Sequence, residues 1–255
     1  MNYSLSQIPE RTRSPRNKGM TMVMDKGLSV REAENMISAS KPYIDFLKLG
    51  FGTSFVTPNL ADKIKLYKEA GFKTYFGGTL FEAFVIRNQF EDYIKVLEKF
   101  GMEYVEVSDG SIEMSHEVKC EYIRKLSQYV TVISEVGSKD AEKIIAPYLW
   151  IEQMKAEIEA GSYKVIAEAR ESGTVGIFRG TGEVRSGLVD EILTQVPKDT
   201  ILWEAPKKAQ QVWFIKLLGA NVNLGNIAPN EVIPLETLRI GLRGDTFDLY
   251  LNQDK

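Results

Sequence analysis

Cysteine and histidine are almost missing from this chain: one of each stands among 255 residues. A lone Cys120 excludes an internal disulfide and any multi-cysteine metal site. A lone His116 excludes paired-histidine zinc motifs and a two-histidine iron site. A Ser-His-Asp triad would have to use that histidine, and no G-x-S-x-G elbow accompanies it. Proton transfers are therefore left to Lys, Glu, Asp or Tyr, and any metal is expected to be a hard cation held by oxygen. His116 follows Ser115 in S-H-E-V-K-C-E-Y-I, a helix start, where a solvated surface role is expected. Excess charge of one sign is missing too. Lys+Arg is 32 against Asp+Glu 35, net -3, which gives no electrostatic footprint for nucleic acid. No apolar run approaches the roughly 18 residues a membrane helix needs. The polar start MNYSLSQIPERTRSPRNKG has no apolar h-region, so the expectation is a cytoplasmic protein without a membrane partner.

What is present is a repeating pattern. Short runs rich in Val, Ile, Tyr and Phe recur at 19–25, 43–50, 73–78, 103–110, 130–137, 163–170, 200–206 and 221–227. They read as eight strands spaced by about 20 to 40 residues, as β/α units require. Helical signals lie between them. Ser29 with Glu32 forms a capping box. Thr57-Pro58 reads as an N-cap and first turn opening ADKIKLYKEAG, closed by Gly71. EDYIKVLEKFG, WIEQMKAEIEAG and KKAQQVWFIKLLG repeat the period and each end on glycine. The predicted fold is α/β, a single (β/α)8 TIM barrel over 19–247, with an N-terminal lead-in at 1–18 and a loose tail at 248–255. An open doubly wound sheet is the alternative, but its glycine-rich phosphate fingerprint is missing: the first strand ends in D-K-G.

Parallel barrel strands are covered on both faces and should be nearly all apolar. Here Asp25, Lys48, Glu106, Asp109, Glu135, Glu168, Arg170, Glu204, Asn223 and Asn226 all fall in the C-terminal halves of the predicted strands. That end of a barrel is where active sites are built. Two readings are open: a salt-bridge lattice inside the barrel, or carboxylates converging on a cation, which would be Mg²⁺. Lys48, Lys139 and Arg170, with Arg239 and Arg243 near the last helix, add positive charge suited to a polyanionic substrate. The glycine-rich stretch 170–182 reads either as a lid closing over substrate or as a solvated loop. Trp150, Trp203, Trp213 and the methionines read as packing, and Cys120 as an inert buried thiol.

Nine strings in order carry a resemblance: D-K-G (25–27), I-D-F-L-K-L-G-F-G-T-S (44–54), G-G-T-L-F-E (77–82), E-V-S-D-G (106–110), S-E-V-G-S-K-D (134–140), E-A-R-E-S-G (168–173), E-A-P-K-K-A-Q-Q (204–211), N-V-N-L-G-N-I (221–227) and E-T-L-R-I-G-L-R-G-D-T-F (236–247). Over residues 11–247 the chain resembles the phosphosulfolactate synthase family. The resemblance implies a barrel lyase that adds sulfite to phosphoenolpyruvate with Mg²⁺, giving (2R)-2-O-phospho-3-sulfolactate, the first step toward coenzyme M in some organisms. On this reading Lys139 is the general acid at C2, with Glu106 and Glu204 beside it in the catalytic set. Glu106, Glu135, Glu168 and Asp109 are the expected metal ligands, and Lys48, Arg170, Asn223, Asn226 and Arg243 the expected substrate contacts. A homo-oligomer, such as a trimer, would use an exposed apolar helix face. Two alternatives remain at this stage. One is another phosphoenolpyruvate or phosphosugar lyase or aldolase on the same barrel, with Lys48 or Lys164 as a Schiff-base lysine. The other is a non-catalytic heat-stress-associated barrel protein.

Overall fold

The computed structural model describes residues 2–140 and 145–251. Eight parallel strands alternate with helices: β1 (Thr21–Asp25), β2 (Phe46–Leu49), β3 (Lys73–Phe76), β4 (Tyr104–Val107), β5 (Thr131–Val136), β6 (Ser162–Ala167), β7 (Ile201–Glu204) and β8 (Leu224–Ile227). The helices are α1 (Val30–Ser40), α2 (Thr53–Val56), α3 (Leu60–Glu69), α4 (Gly78–Val85), α5 (Phe90–Lys99), α6 (His116–Leu126), α7 (Pro147–Ala160), α8 (Ser186–Gln195), α9 (Lys208–Leu218) and α10 (Val232–Arg239). The sheet runs β3-β2-β1-β8-β7-β6-β5-β4, so the two ends meet and the (β/α)8 barrel is nearly closed. The sheet carries no ladder between β3 and β4. Instead the Gly78 N–H, just past β3, donates to Glu106 Oε1 in β4 at 2.7 Å.

Side chains along a strand alternate between the two faces. That period builds the barrel interior in layers. Met22, Phe46, Tyr75, Ile133, Ile166 and Leu202 form an apolar plug, with Tyr104 packed against it. Two residues further along their strands stand Lys48, Glu106, Glu135, Glu168 and Glu204, all buried. The charged layer is thus the next inward-facing layer above an apolar floor. The other face of each strand packs on the helices in one large core that includes Trp150 and Trp203, as expected.

The opposite end is sealed by the N-terminal lead-in. Arg16 pairs with buried Asp45 at 2.8 Å, and Arg11 pairs with Glu236 at 2.9 Å. Buried Arg239 donates to the carbonyls of Met20, Ala220 and Val222, residues at or before the starts of β1 and β8. At the other terminus, residues 248–251 turn back and Leu249 packs on the core, while the remainder of the expected tail, 252–255, lies outside the described residues.

The helix signals hold with one exception. The Ser29–Glu32 capping box forms, and Gly71, Gly101, Gly161 and Gly219 follow their helices with positive φ. Thr57, however, is not the N-cap of α3. Its hydroxyl bonds back to the Thr53 carbonyl at 2.7 Å and closes α2, and Asn59, in the left-handed region, opens α3.

Candidate active site

The C-terminal end of the barrel opens into a cavity of 210 Å³. Two ammoniums, buried Lys48 and half-buried Lys139, organise its walls. Lys48 Nζ, from β2, lies 3.0 Å from Glu106 Oε1, 3.4 Å from Glu204 Oε1 and 3.6 Å from Glu135 Oε2. Lys139 Nζ, from the loop after β5, lies 3.0 Å from Glu135 Oε1, 3.4 Å from Glu82 Oε1 and 3.8 Å from Glu168 Oε2. Glu135 is therefore shared, and five carboxylates face two lysines. Further bonds fix the carboxylates in place. Glu204 Oε2 accepts the Ala169 N–H at 2.9 Å, and Glu168 Oε1 accepts the Arg170 N–H at 2.5 Å.

Burial and mutual repulsion split these groups. Burial works against charge on both lysines, yet the surrounding carboxylates hold Lys48 and Lys139 well above the ordinary lysine value. Burial also opposes charge on Glu135, but Lys139 and Lys48 hold it below the usual carboxylate range. Burial pushes Glu204 up to about 7. Burial, reinforced by Glu135 and Glu204, drives Glu168 well above its ordinary value, and burial raises Glu106 as well. One layer thus holds carboxylates of opposite protonation tendency, a pattern typical of reactive sites.

The carboxylates are not all satisfied within the protein. Glu106 Oε2, Glu168 Oε2 and Asn226 Oδ1 are buried without a hydrogen-bond donor. Glu135, Glu168 and Glu204 each offer an oxygen, and these atoms lie within 4.8 Å of one another. An all-oxygen set with orphaned lone pairs is the donor chemistry a hard divalent cation takes.

Backbone strain gathers at the same place. Phe51, Arg170 and Asn226 have φ of 47°, 56° and 56°, and all three line the cavity. Non-glycine residues adopt that left-handed region at a cost, and such strain clusters at functional sites. At Asn226 the cause is visible: the β1–β8 register shifts between Thr21 and Val23, so a bulge turns the Asn226 side chain toward the mouth.

The structure brings together Lys48, Glu106, Glu135, Lys139, Glu168, Arg170, Glu204 and Asn226 from the expected set. It does not bring in three others. Asn223 precedes β8 and serves the far end of the barrel, accepting from the Met20 N–H and donating to the carbonyls of Asp199 and Ile201. Asp109 turns outward and is held by Lys119 at 2.9 Å. Arg243 follows α10 and does not line the cavity. Asp25 is occupied structurally, bonded by Lys63, the Tyr67 hydroxyl and the N–H groups of Gly27 and Leu28. Lys164, the other Schiff-base candidate, donates to the carbonyls of Asn17 and Asp199 at the far end.

Two further expectations change in part. The stretch 170–182 is neither a free lid nor a solvated loop along its whole length. Val175, Ile177 and Phe178 are buried, and buried Gln210 donates to the carbonyls of Gly173 and Gly182. His116 is half-buried and lies 3.3 Å from Glu157, which also pairs with Lys119. Sequence reasoning missed Glu82, Thr79, Ser111 and Phe51. Of these only Glu82 carried a signal, as the one charge inside the apolar helix GTLFEAFV.

Residues 9–245 match the family model for (2R)-phospho-3-sulfolactate synthase (ComA). The chain is 42% identical over 252 residues to a phosphosulfolactate synthase of Bacillus subtilis (strain 168), covering 98% of this chain and 100% of that one. It is 39% identical over 244 residues to a phosphosulfolactate synthase of Methanothermobacter thermautotrophicus, covering 93% and 95% of the two chains. Among solved structures, 3-hexulose-6-phosphate synthase from Salmonella typhimurium superposes with a TM-score of 0.57 at 14% identity, over 88% of this chain and all of that one, a likeness of fold alone. No described helix is long and apolar enough to cross a membrane. With the charged mouth in the fold and identity of this extent, the chain belongs to the (2R)-phospho-3-sulfolactate synthase family.

Proposed function

We propose that this protein joins sulfite to phosphoenolpyruvate, with Mg²⁺, to give (2R)-2-O-phospho-3-sulfolactate in the cytoplasm. The observation that carries the reading is the pair of carboxylate-held ammoniums, Lys48 and Lys139, facing one small cavity in a chain of this family. Both substrates are anions and repel one another. Lys48, Arg170 and the side-chain NH2 of Asn226, three cavity-lining donors, would hold the phosphate, carboxylate or sulfite groups together. Fixing two reactants in one geometry is worth roughly 7–11 kcal/mol of the barrier.

The electron count is simple. The sulfur lone pair forms the bond to C3, and the C2–C3 π pair moves toward C2 and the carboxylate. A proton then goes to C2, and the phosphate ester stays intact. Lys139 is the proposed donor: it stands at the rim, and its three carboxylate neighbours keep it in the protonated form from which it can give that proton. Glu135, Glu168 and Glu204 would hold Mg²⁺, with Glu106 lining the same cavity beside them. When bound, the ion supplies positive charge where the substrate carboxylate becomes more negative.

Purified protein given phosphoenolpyruvate, sulfite and Mg²⁺ should form a sulfonate detectable by mass spectrometry, and EDTA should stop it. Lys139→Ala should lower kcat by at least about 100-fold. No sulfite-dependent consumption of phosphoenolpyruvate would overturn the reading.

A further inference from the structure

Glu82 stands on α4, away from the strand ends that supply the other carboxylates, and it does not line the cavity. A carboxylate inside so apolar a helix is costly to bury, so its partners matter. Glu82 Oε2 accepts the Ser111 N–H at 2.8 Å, and Oε1 accepts the Ser108 hydroxyl and lies 3.4 Å from Lys139 Nζ. An N–H and a hydroxyl can be satisfied by a neutral amide. Of these three partners, only the Lys139 ammonium calls for an anion.

Gly110 points the same way. It is not among the residues with positive φ, so its backbone conformation does not demand glycine. What demands it is the lysine: a Cβ there would sit 2.9 Å from Lys139 Cγ, 3.0 Å from Cδ and 3.2 Å from Cε. The aliphatic stem lies along the bare backbone of residue 110 while its head meets Glu82. Residues 108–111 therefore do two things at once: Ser108 and Ser111 fix the Glu82 carboxylate, and Gly110 opens the lane for the lysine.

We infer that Glu82 and Gly110 form a cradle that positions Lys139, with Glu82 a positioning residue and not a catalytic one. The inference rests on the reading of Lys139 as the proton donor. It also makes a statement about this chain that needs no turnover to test, namely that Glu82 restrains the Lys139 amine.

The experiment pairs two readouts on wild type, Glu82→Gln and Gly110→Ala. In Glu82→Gln the acceptor for Ser111 is kept and the charge is lost. Its kcat should fall about 10- to 100-fold, with KM for phosphoenolpyruvate and for sulfite within about threefold of wild type and an unchanged melting temperature. Gly110→Ala, which leaves Glu82 and its two serine bonds in place, should lower kcat in the same manner. In the second readout, reductive methylation without substrates, read by peptide mass spectrometry, should modify Lys139 severalfold faster in Glu82→Gln than in wild type. Other lysines in the same sample serve as the internal standard. A kcat near that of wild type in both variants, or a rise in KM at constant kcat, would overturn the cradle. Lys139 labelling at the wild-type rate in Glu82→Gln would do the same. If Glu82→Gln does not fold, the kcat of Gly110→Ala decides the cradle, and a value near that of wild type overturns it. If wild type makes no sulfonate, the reaction assignment fails by itself and the labelling comparison still decides the cradle.

Discussion

At the scale of single residues, the site is governed by how many charges share too little water. Glu204 gives a test with a definite sign. Burial pushes it up to about 7 from the usual 4.5, so the folded chain holds this proton more tightly than the unfolded chain does. Between those two values the native state binds more protons, and stability must fall as pH rises through that window. In EDTA, the melting temperature should therefore drop from pH 4.5 to about 7, and Glu204→Gln should flatten that part of the profile. Added Mg²⁺ should restore the loss above pH 7, because an ion bound only to the native state stabilises it. A flat wild-type profile in EDTA would contradict the assignment.

Single elements show how backbone geometry aims these residues. The turn after β6 places Glu168 and then folds back so that the Ile177 N–H reaches the Glu168 carbonyl at 3.1 Å. That close return passes through Gly176, which has φ of 60° and where a Cβ would lie 1.9 Å from the same carbonyl oxygen. Gly176→Ala therefore has no relaxed conformation available. It should cost at least about 1–3 kcal/mol in urea unfolding. It should also lower kcat, because relief of the clash moves Glu168. The bulge in β8 is a second such device. Asn223 and Asn226 stand three residues apart in one short segment, yet one ties the far end of the barrel and the other faces the mouth.

The whole molecule separates stability from chemistry along the barrel axis. The far end is closed by arginines on carboxylates and carbonyls, the middle by the apolar plug, and the mouth by the lysine–glutamate layer. Arg16→Ala leaves the buried Asp45 carboxylate with only the Thr21 N–H among the partners described here. The loss should be about 3–5 kcal/mol by urea unfolding, the usual result of stranding one partner of a buried pair. Below its lowered melting temperature the variant should keep wild-type kcat, because Arg16 lies at the opposite end from the cavity. A large fall in kcat of the folded variant would mean that the two ends are coupled.

The barrel was legible in the sequence because parallel strands buried on both faces must read as short apolar runs at β/α spacing, and all eight predicted runs became strands. The charged interruptions in those runs were legible for the same reason. Water is excluded from a barrel interior, so Lys48, Glu106, Glu135 and Glu204 within strands announce a mouth layer. Pairing was not legible. Asp109 lies three residues beyond Glu106, but the chain has left the strand by then, and Lys119 on α6 claims it. Glu82 was hidden because it reaches the site from a helix, where sequence spacing says nothing about distance to Lys139, 57 residues on. Residue type and strand period thus determined that acidic and basic groups would meet at one end of a closed sheet. Only the tertiary structure decided which of them face the cavity and which hold the others, because that choice depends on a bulge, a few left-handed residues and the approach of segments far apart in the chain.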